Sequence, residues 1–351
     1  MRPILSILLI TFSLLSGNTH VLAEELDHWR LRQIAKTPQE YLLYRLAYRG
    51  IFTAFTWKKL ADVAFIAADS PQVFQGQTAC ELRMRLSTED YTLAEVMRPT
   101  RYEWRSLAAP DLDRVYLVEV SDITTGDERE RRVKWLDWPH RSIELFRLRE
   151  REPITSTPFF DDDDSVITGY TWEADGSKPV PAFLLDDEPL IENRYTPLIY
   201  DKTMIIGDDA QHLIDPLAFI YAARWHDYRE GDLVRPIAYK DEIRHYRAHL
   251  LDREQLTIGQ AGITALKVDM QRTHLKDAKD EGFMRVWFSD DARRIPLKFI
   301  IDAKVGAMRV HIVPASFERI RPTHYCLSVA PTPTPLSAGG EESATDSYAV
   351  Q

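Results

Sequence analysis

The stretch FMRVWFSDDARRIPLKFIIDAKVGAMRVHIV, residues 283–313, decides the fold class. From Leu297 it alternates, with Leu297, Phe299, Ile301 and Ala303 on one side and Lys298, Asp302 and Lys304 on the other. A period of two sends successive side chains to opposite faces, the mark of a half-buried strand. Beyond Gly306 the alternation resumes, with Met308, Val310 and Ile312 set against Arg309 and His311. Upstream, Met284, Val286 and Phe288 form a third apolar set, and Ser289-Asp290-Asp291 supplies turn chemistry. Gly306 suits the second turn, where a positive φ is free of side-chain clash. The stretch reads as three antiparallel strands in a meander with one face on a core.

The same pattern extends upstream. Leu42, Tyr44, Leu46 and Tyr48 oppose Leu43, Arg45 and Ala47, and Phe52–Phe65 continues past Gly50 as a second strand. Cys80, Leu82, Met84 and Leu86 oppose Glu81, Arg83 and Arg85. Tyr91–Met97, Tyr102–Leu107, Val115–Val120, Val133–Trp138 and Ser142–Leu148 follow at hairpin spacing. Val234–Tyr239, Ile243–Leu251 and Ile263–Met270 precede the meander, with Gly259 and Gly262 at a turn. Short strands at this spacing specify an antiparallel sandwich or barrel. One helix interrupts them. Asp215 caps it, Pro216 occupies its first turn, and Arg224 opposes the dipole at its end.

The expected architecture is mainly β: an antiparallel meander curling into an incomplete or closed barrel, with one packed helix near 215–225. The domain spans 40–330. Residues 150–212, broken by Pro153, Pro158, Pro179, Pro181, Pro189 and Pro197, read as a long irregular excursion. Residues 24–39 read as a helical lead-in. Residues 331–351, rich in Pro, Ser, Gly and Glu, bury too little apolar area to offset ordering entropy and read as a disordered tail.

The start of the chain bears on location. Arg2, the apolar run Ile4–Leu15 and the small-residue end Val21-Leu22-Ala23 have the order of a secretory signal peptide, with cleavage expected between Ala23 and Glu24. Residues 24 onward hold no run long enough to cross a bilayer as a helix. The expected location is therefore the periplasm. Losing residues 1–23 removes Arg2 and no acid, so the formal charge of −10 becomes −11. An acidic exported chain is poorly suited to nucleic acid or to an anionic membrane, whose phosphates require surplus Lys and Arg. The two cysteines, Cys80 and Cys326, both in strand-like runs, make up the smallest even number, and export permits a disulfide that would tie an early strand to the last one. Two buried thiols are the alternative.

Three stretches carry a family resemblance: Tyr44-Arg-Leu-Ala-Tyr-Arg-Gly, Asp215-Pro-Leu-Ala, and Val286-Trp-Phe-Ser-Asp-Asp-Ala-Arg-Arg-Ile-Pro. Together they resemble the exported bacterial family of domain of unknown function 3108, most strongly over residues 215–313. The resemblance implies a β-rich fold in the Gram-negative cell envelope. It implies no activity and carries over no catalytic residues.

The search for chemistry is mostly negative. Gly-x-Ser-x-Gly, His-Glu-x-x-His, Cys-x-x-Cys, phosphate-loop and dinucleotide patterns are absent from the sequence. Asp161–Asp164 fails the EF-hand template, since Val166 stands where Gly is needed and Trp172 where Glu is needed. His245 and His249, on one strand, would lie about 13 Å apart, too far to share a metal. No metal or other cofactor is expected, and catalytic residues stay unassigned. Paired carboxylates could hydrolyse a glycosidic bond, but no pair stands out among 54 acids. More suggestive are Trp135, Trp138 and His140, and Trp287 beside Arg285: Phe283 and Trp287 make the second face of their strand apolar too. A barrel interior holding an apolar ligand would use such a face, and so would a two-sided core. The function expected is a non-catalytic periplasmic module that binds or carries an apolar or amphipathic envelope molecule, lipid or glycan. The alternatives are an enzyme on envelope or capsular glycan, and a scaffold for an envelope assembly whose protein partner contacts residues 150–212.

Overall fold

The computed structural model describes residues 40–150 (apart from 51, 52, 54, 98 and 125–127), 181, 184, 198–239, 242–273, 281–303, 306–319, 326 and 327. The signal peptide, helical lead-in, Asp161–Asp164 and disordered tail read from the sequence lie outside these residues.

The chain begins with strands β1 (Glu40–Gly50), β2 (Lys58–Ala67), β3 (Gln72–Phe74) and β4 (Gln77–Ser87), then a short helix α1 (Thr92–Met97). Strands β5 (Thr100–Ala108), β6 (Val115–Thr124), β7 (Glu128–Asp137), β8 (Ser142–Glu150) and β9 (Ile199–Ile205) follow. Helix α2 (Pro216–Trp225) leads to β10 (Leu233–Tyr239), β11 (Glu242–Ile258) and β12 (Ala261–Thr273). The meander is β13 (Glu281–Ser289), β14 (Pro296–Ala303) and β15 (Gly306–Ile312), and α3 (Pro314–Arg319) comes after it. Among the described residues no helix is long and apolar enough to cross a membrane.

All fifteen strands belong to one antiparallel sheet, with β3 attached to β4 off the main path. The order places β10–β15 as one block and β1–β9 as another, joined by the β1–β15 ladder. The meander is therefore the middle of the sheet rather than its end.

One transverse row shows how alternation becomes a core. Leu250, Val268, Val286, Phe299, Val310, Leu46 and Ala61 stand opposite one another across seven strands. The sheet curls around this face without closing. Lys134 of β7 donates to the Ala238 carbonyl of β10 at 3.3 Å, although the two strands lie far apart in the sheet order. The segment before α2 spans the gap: Val115 of β6 donates to the Leu213 carbonyl, and Ile214 forms an isolated bridge with Ile237 of β10.

Helix α2 packs the concave face. Eight of its residues, from Pro216 to Arg224, are buried, and six of them, Leu217 to Tyr221 and Ala223, share one cluster with β1, β2, β4, β10 and the meander. A helix apolar on all sides suits a fully enclosed position. Asp215, 0% exposed, caps it by accepting from the Ala218 amide at 2.9 Å, and its other oxygen accepts from Trp104 and Ser106. Burial raises the Asp215 carboxyl above its ordinary value, against those hydrogen bonds. At the other end Arg224 makes a two-pronged pair with Glu40, at 2.6 and 2.7 Å.

Three sequence readings need correction. Tyr91–Met97 reads as a strand, but Thr92–Met97 is the helix α1. Its β-branched and aromatic residues favour a strand, yet Glu95 reaches back to Thr88 and pairs with Arg101 at 2.7 Å, which fixes a helical turn. Residues 199–205 fall in the excursion expected to be irregular, but form β9, pairing with β8 along one side at the sheet's edge. Cys326 reads as part of a last strand, yet lies in a bend beyond α3. It is bonded to Cys80, with Cα atoms 5.5 Å apart.

Candidate functional site

The concave face is occupied by α2, so the chemistry open to a ligand lies on the convex face. A second transverse row crosses it: Asp252, Lys267, Trp287, Lys298, His311, Arg45, Asp62, Ser87 and Arg101. At its two ends the charges are matched. Arg45 approaches Asp62 at 3.8 Å, and Lys267 pairs with Glu254 at 2.5 Å. Further along this face, over β4–β7, Arg83, Arg85, Arg105 and Arg131 share Glu81, Glu103 and Glu119 in a ladder in which every arginine reaches a carboxylate, with Arg105–Glu81 at 2.8 Å and Arg85–Glu103 at 3.0 Å.

The middle of the row is not matched. Lys298 sits with its ammonium 4.1 Å from the Trp287 ring centroid, and Lys267 approaches the same ring at 5.9 Å. Both are within cation–π range. Trp287 is 3% exposed and donates its indole N–H to Glu254 at 2.7 Å. Hydrogen bonds from Lys267 and Trp287 hold the Glu254 carboxyl below its ordinary value. One position along β15 from His311 on the same face, Arg309 stacks on Trp57 at 4.1 Å, and Arg49 lies over the same indole at 5.1 Å. Among the described residues no carboxylate lies within ion-pair distance of Lys298 or Arg309, and the Arg309 Nε is buried with no hydrogen-bond partner.

The surplus charge registers on its neighbours. Burial, then Arg309, pulls Lys298 below the usual lysine value. Burial, then Lys298 and Arg309, pushes the His311 pKa down from 6.5 to about 4. A group depressed in this way binds fewer protons folded than unfolded, so its contribution to stability is full above pH 6.5 and is lost as pH falls toward 4. The variant His311→Gln should therefore lose less stability than wild type between pH 7 and pH 4.5 in parallel denaturant titrations. Superimposable pH profiles would show that His311 carries none of this effect.

Of the residues singled out from sequence, Arg285 and Trp287 border this patch on β13, with Arg285 paired to Asp269 at 2.9 Å. Trp135, Trp138 and His140, on β7 and the turn after it, lie four strands beyond β2 in the sheet order and do not join it. Trp135 is on the convex face of β7, opposite Glu144, packed with the second apolar cluster. Trp138 pins the β7–β8 turn by donating to the Val115 carbonyl at 2.8 Å, with Arg114 over its ring at 4.9 Å. His140 is exposed and contacts Asp137 at 2.8 Å. His245 and His249 approach different carboxylates, Asp209 at 3.9 Å and Asp232 at 2.6 Å. The residues that sequence reasoning missed are Trp57, Lys298, Arg309 and His311. Three of them were visible as the polar side of the meander, and Trp57 arrives only through the β1–β15 ladder.

The stretches carrying the family resemblance serve structural ends. Asp215 caps α2. In the β13–β14 turn Arg294, at positive φ, pairs with Asp290 at 3.2 Å, and Ser289 accepts from the Ile295 amide at 2.7 Å.

Fold and surface together define an open, barrel-like antiparallel β protein with a helix inside and a cationic aromatic patch outside. The sequence matches no protein-family model and no curated protein. It is similar to a solved structure, a β-barrel-like protein of domain of unknown function DUF1849 from Brucella abortus, at 10% identity and a TM-score of 0.41, covering 78% of this chain and 95% of that one.

Proposed function

We propose that the protein is a non-catalytic periplasmic module that binds an anionic, amphipathic molecule of the cell envelope on its convex face. The observation that carries this reading is the pair of cations, Lys298 and Arg309, lying against Trp287 and Trp57 with no carboxylate within ion-pair distance among the described residues, Glu254 acting on Lys298 only from further away. A phosphate or carboxylate supplies the missing charge, and the exposed part of the half-buried Trp57 meets the apolar part of the same molecule. The carboxylates elsewhere on this face are poorly placed for glycan hydrolysis. Glu103 and Glu119 are both held by arginines, and burial raises Glu103. The periplasmic part rests on the leader-like residues 1–23, on the resemblance to the exported family, and on a disulfide of the kind oxidising compartments maintain.

Isothermal titration with a short-chain phosphatidylglycerol, kept below its micelle concentration, tests the site. Wild type should bind, and Lys298→Ala/Arg309→Ala should weaken binding by roughly tenfold or more, since a hydrogen bond to a charged group contributes about 1.5–3 kcal/mol. Unchanged affinity in the double variant, or no binding by wild type, would sink the proposal.

A further inference from the structure

The β1–β2 hairpin differs in charge from the rest of this acidic chain. Between Glu40 and Asp62 there is no acid, while Arg45, Arg49, Lys58 and Lys59 supply four bases. At its tip Phe55 is 70% exposed and takes a positive φ of 57°, a backbone state that bulky residues avoid. The tip holds it there. The Phe55 amide donates to the Gly50 carbonyl at 2.9 Å, and Thr56 donates to Thr53 through both its amide, at 2.9 Å, and its hydroxyl, at 2.7 Å. Arg49, Lys58 and Lys59 are exposed around it, and Trp57 is half-buried beside them. The other exposed large apolar residues among the described ones lack this setting: Leu93 and Val96 flank Glu95 on α1 with Glu89 and Asp90 just upstream, Val73 is on β3 away from any basic run, Ile205 is followed by Asp208 and Asp209, Val234 is preceded by Asp232, and Leu251 is followed by Asp252.

An exposed aromatic ring with a half-buried indole and three exposed bases matches an anionic lipid surface. The ring enters the interface, the indole sits at headgroup level, and the bases meet lipid phosphate. We infer that this tip docks the protein on an anionic membrane. The inference rests on the preceding reading, because docking would present the Lys298–Arg309 patch, which shares Trp57 with the hairpin, to the lipids it binds.

The test is co-sedimentation of the purified full chain with phosphatidylcholine vesicles, with and without phosphatidylglycerol. Wild type should sediment only with the anionic vesicles, and added salt should release it. Phe55→Asn keeps a residue that tolerates the left-handed backbone and should weaken vesicle binding about tenfold, as expected for losing one partly buried aromatic side chain. Lys58→Glu/Lys59→Glu should weaken it further, since each lysine near the surface contributes about fivefold. Titration of the soluble short-chain lipid into Phe55→Asn separates the two readings, because that variant leaves Lys298, Arg309 and both indoles in place. Wild type that ignores anionic vesicles, or both variants sedimenting as wild type does, overturns the docking role whatever the soluble lipid does.

Discussion

Replacing Arg224 with methionine should lower the unfolding free energy by about 3–5 kcal/mol, the usual result of leaving one partner of a buried ion pair without the other. Arg224 is 1% exposed and the Glu40 side chain 0%, so water cannot take over when the guanidinium is removed. The same guanidinium donates to the Arg293 carbonyl through Nε at 3.1 Å and Nη2 at 2.8 Å, and lies 4.6 Å from the Trp225 ring. It thus ties the end of α2 to the start of β1 and to the β13–β14 turn, one contact in each block of the sheet. Total stability of such a domain is about 5–15 kcal/mol, so the loss should appear as a large drop in denaturation midpoint. Glu40→Met/Arg224→Met removes both charges and should recover much of the loss, because apolar replacements of buried pairs are often neutral. A single variant within about 1 kcal/mol of wild type, or a double variant no better than the single, would mean that the pair is solvated in solution.

That pair also marks the boundary of what the sequence made legible. Helix α2 could be read locally, since Asp215 and Pro216 signal its start and Arg224 its end. So could the meander and β1, where apolar residues recur at every second position. Nothing local reveals that Glu40 faces Arg224, because the two are 184 residues apart. The β1–β15 ladder is equally non-local, and without it Trp57 cannot be brought to Arg309. The convex charges were visible as the polar half of each alternation, but alternation alone does not tell a matched ladder from an unmatched patch. Glu81, Arg83 and Arg85 look no different along the chain from Lys298, Arg309 and His311. Cross-strand register separates them. The helix α1 was misread for another reason: six residues are too few to show a 3.6-residue period, and a contact from Glu95 to Arg101 outweighs intrinsic preference.

Removing the disulfide should have a comparable effect on stability. Cys80 and Cys326 are 246 residues apart, and for so long a loop the chain-entropy account gives about 5 kcal/mol, with measured values commonly about 2–4 kcal/mol. The position of the bond adds a second reason. In the sheet order β1 and β2 stand between β15 and β4, and the chain beyond β15 passes α3 before Cys326 reaches β4. The bond therefore fastens the last described segment of the β10–β15 block onto the β1–β9 block, across the junction where only the β1–β15 ladder pairs the two. Backbone contacts support it weakly: the Cys326 amide donates to the Ala68 carbonyl at 3.3 Å. Cys80→Ala/Cys326→Ala should unfold at lower denaturant by about 2–5 kcal/mol, with faster amide exchange along β15 and β1 than along β5 and β6. Both sulfurs are largely buried, at 1% and 6% residue exposure, so part of the loss is packing. Wild-type protein reduced under native conditions separates that part, since it keeps the sulfur atoms and loses only the link. Exchange rising equally in every strand would mean that the link acts only on the unfolded chain, and an unchanged midpoint would mean that the ladder and the contacts through α2 hold the two blocks together without it.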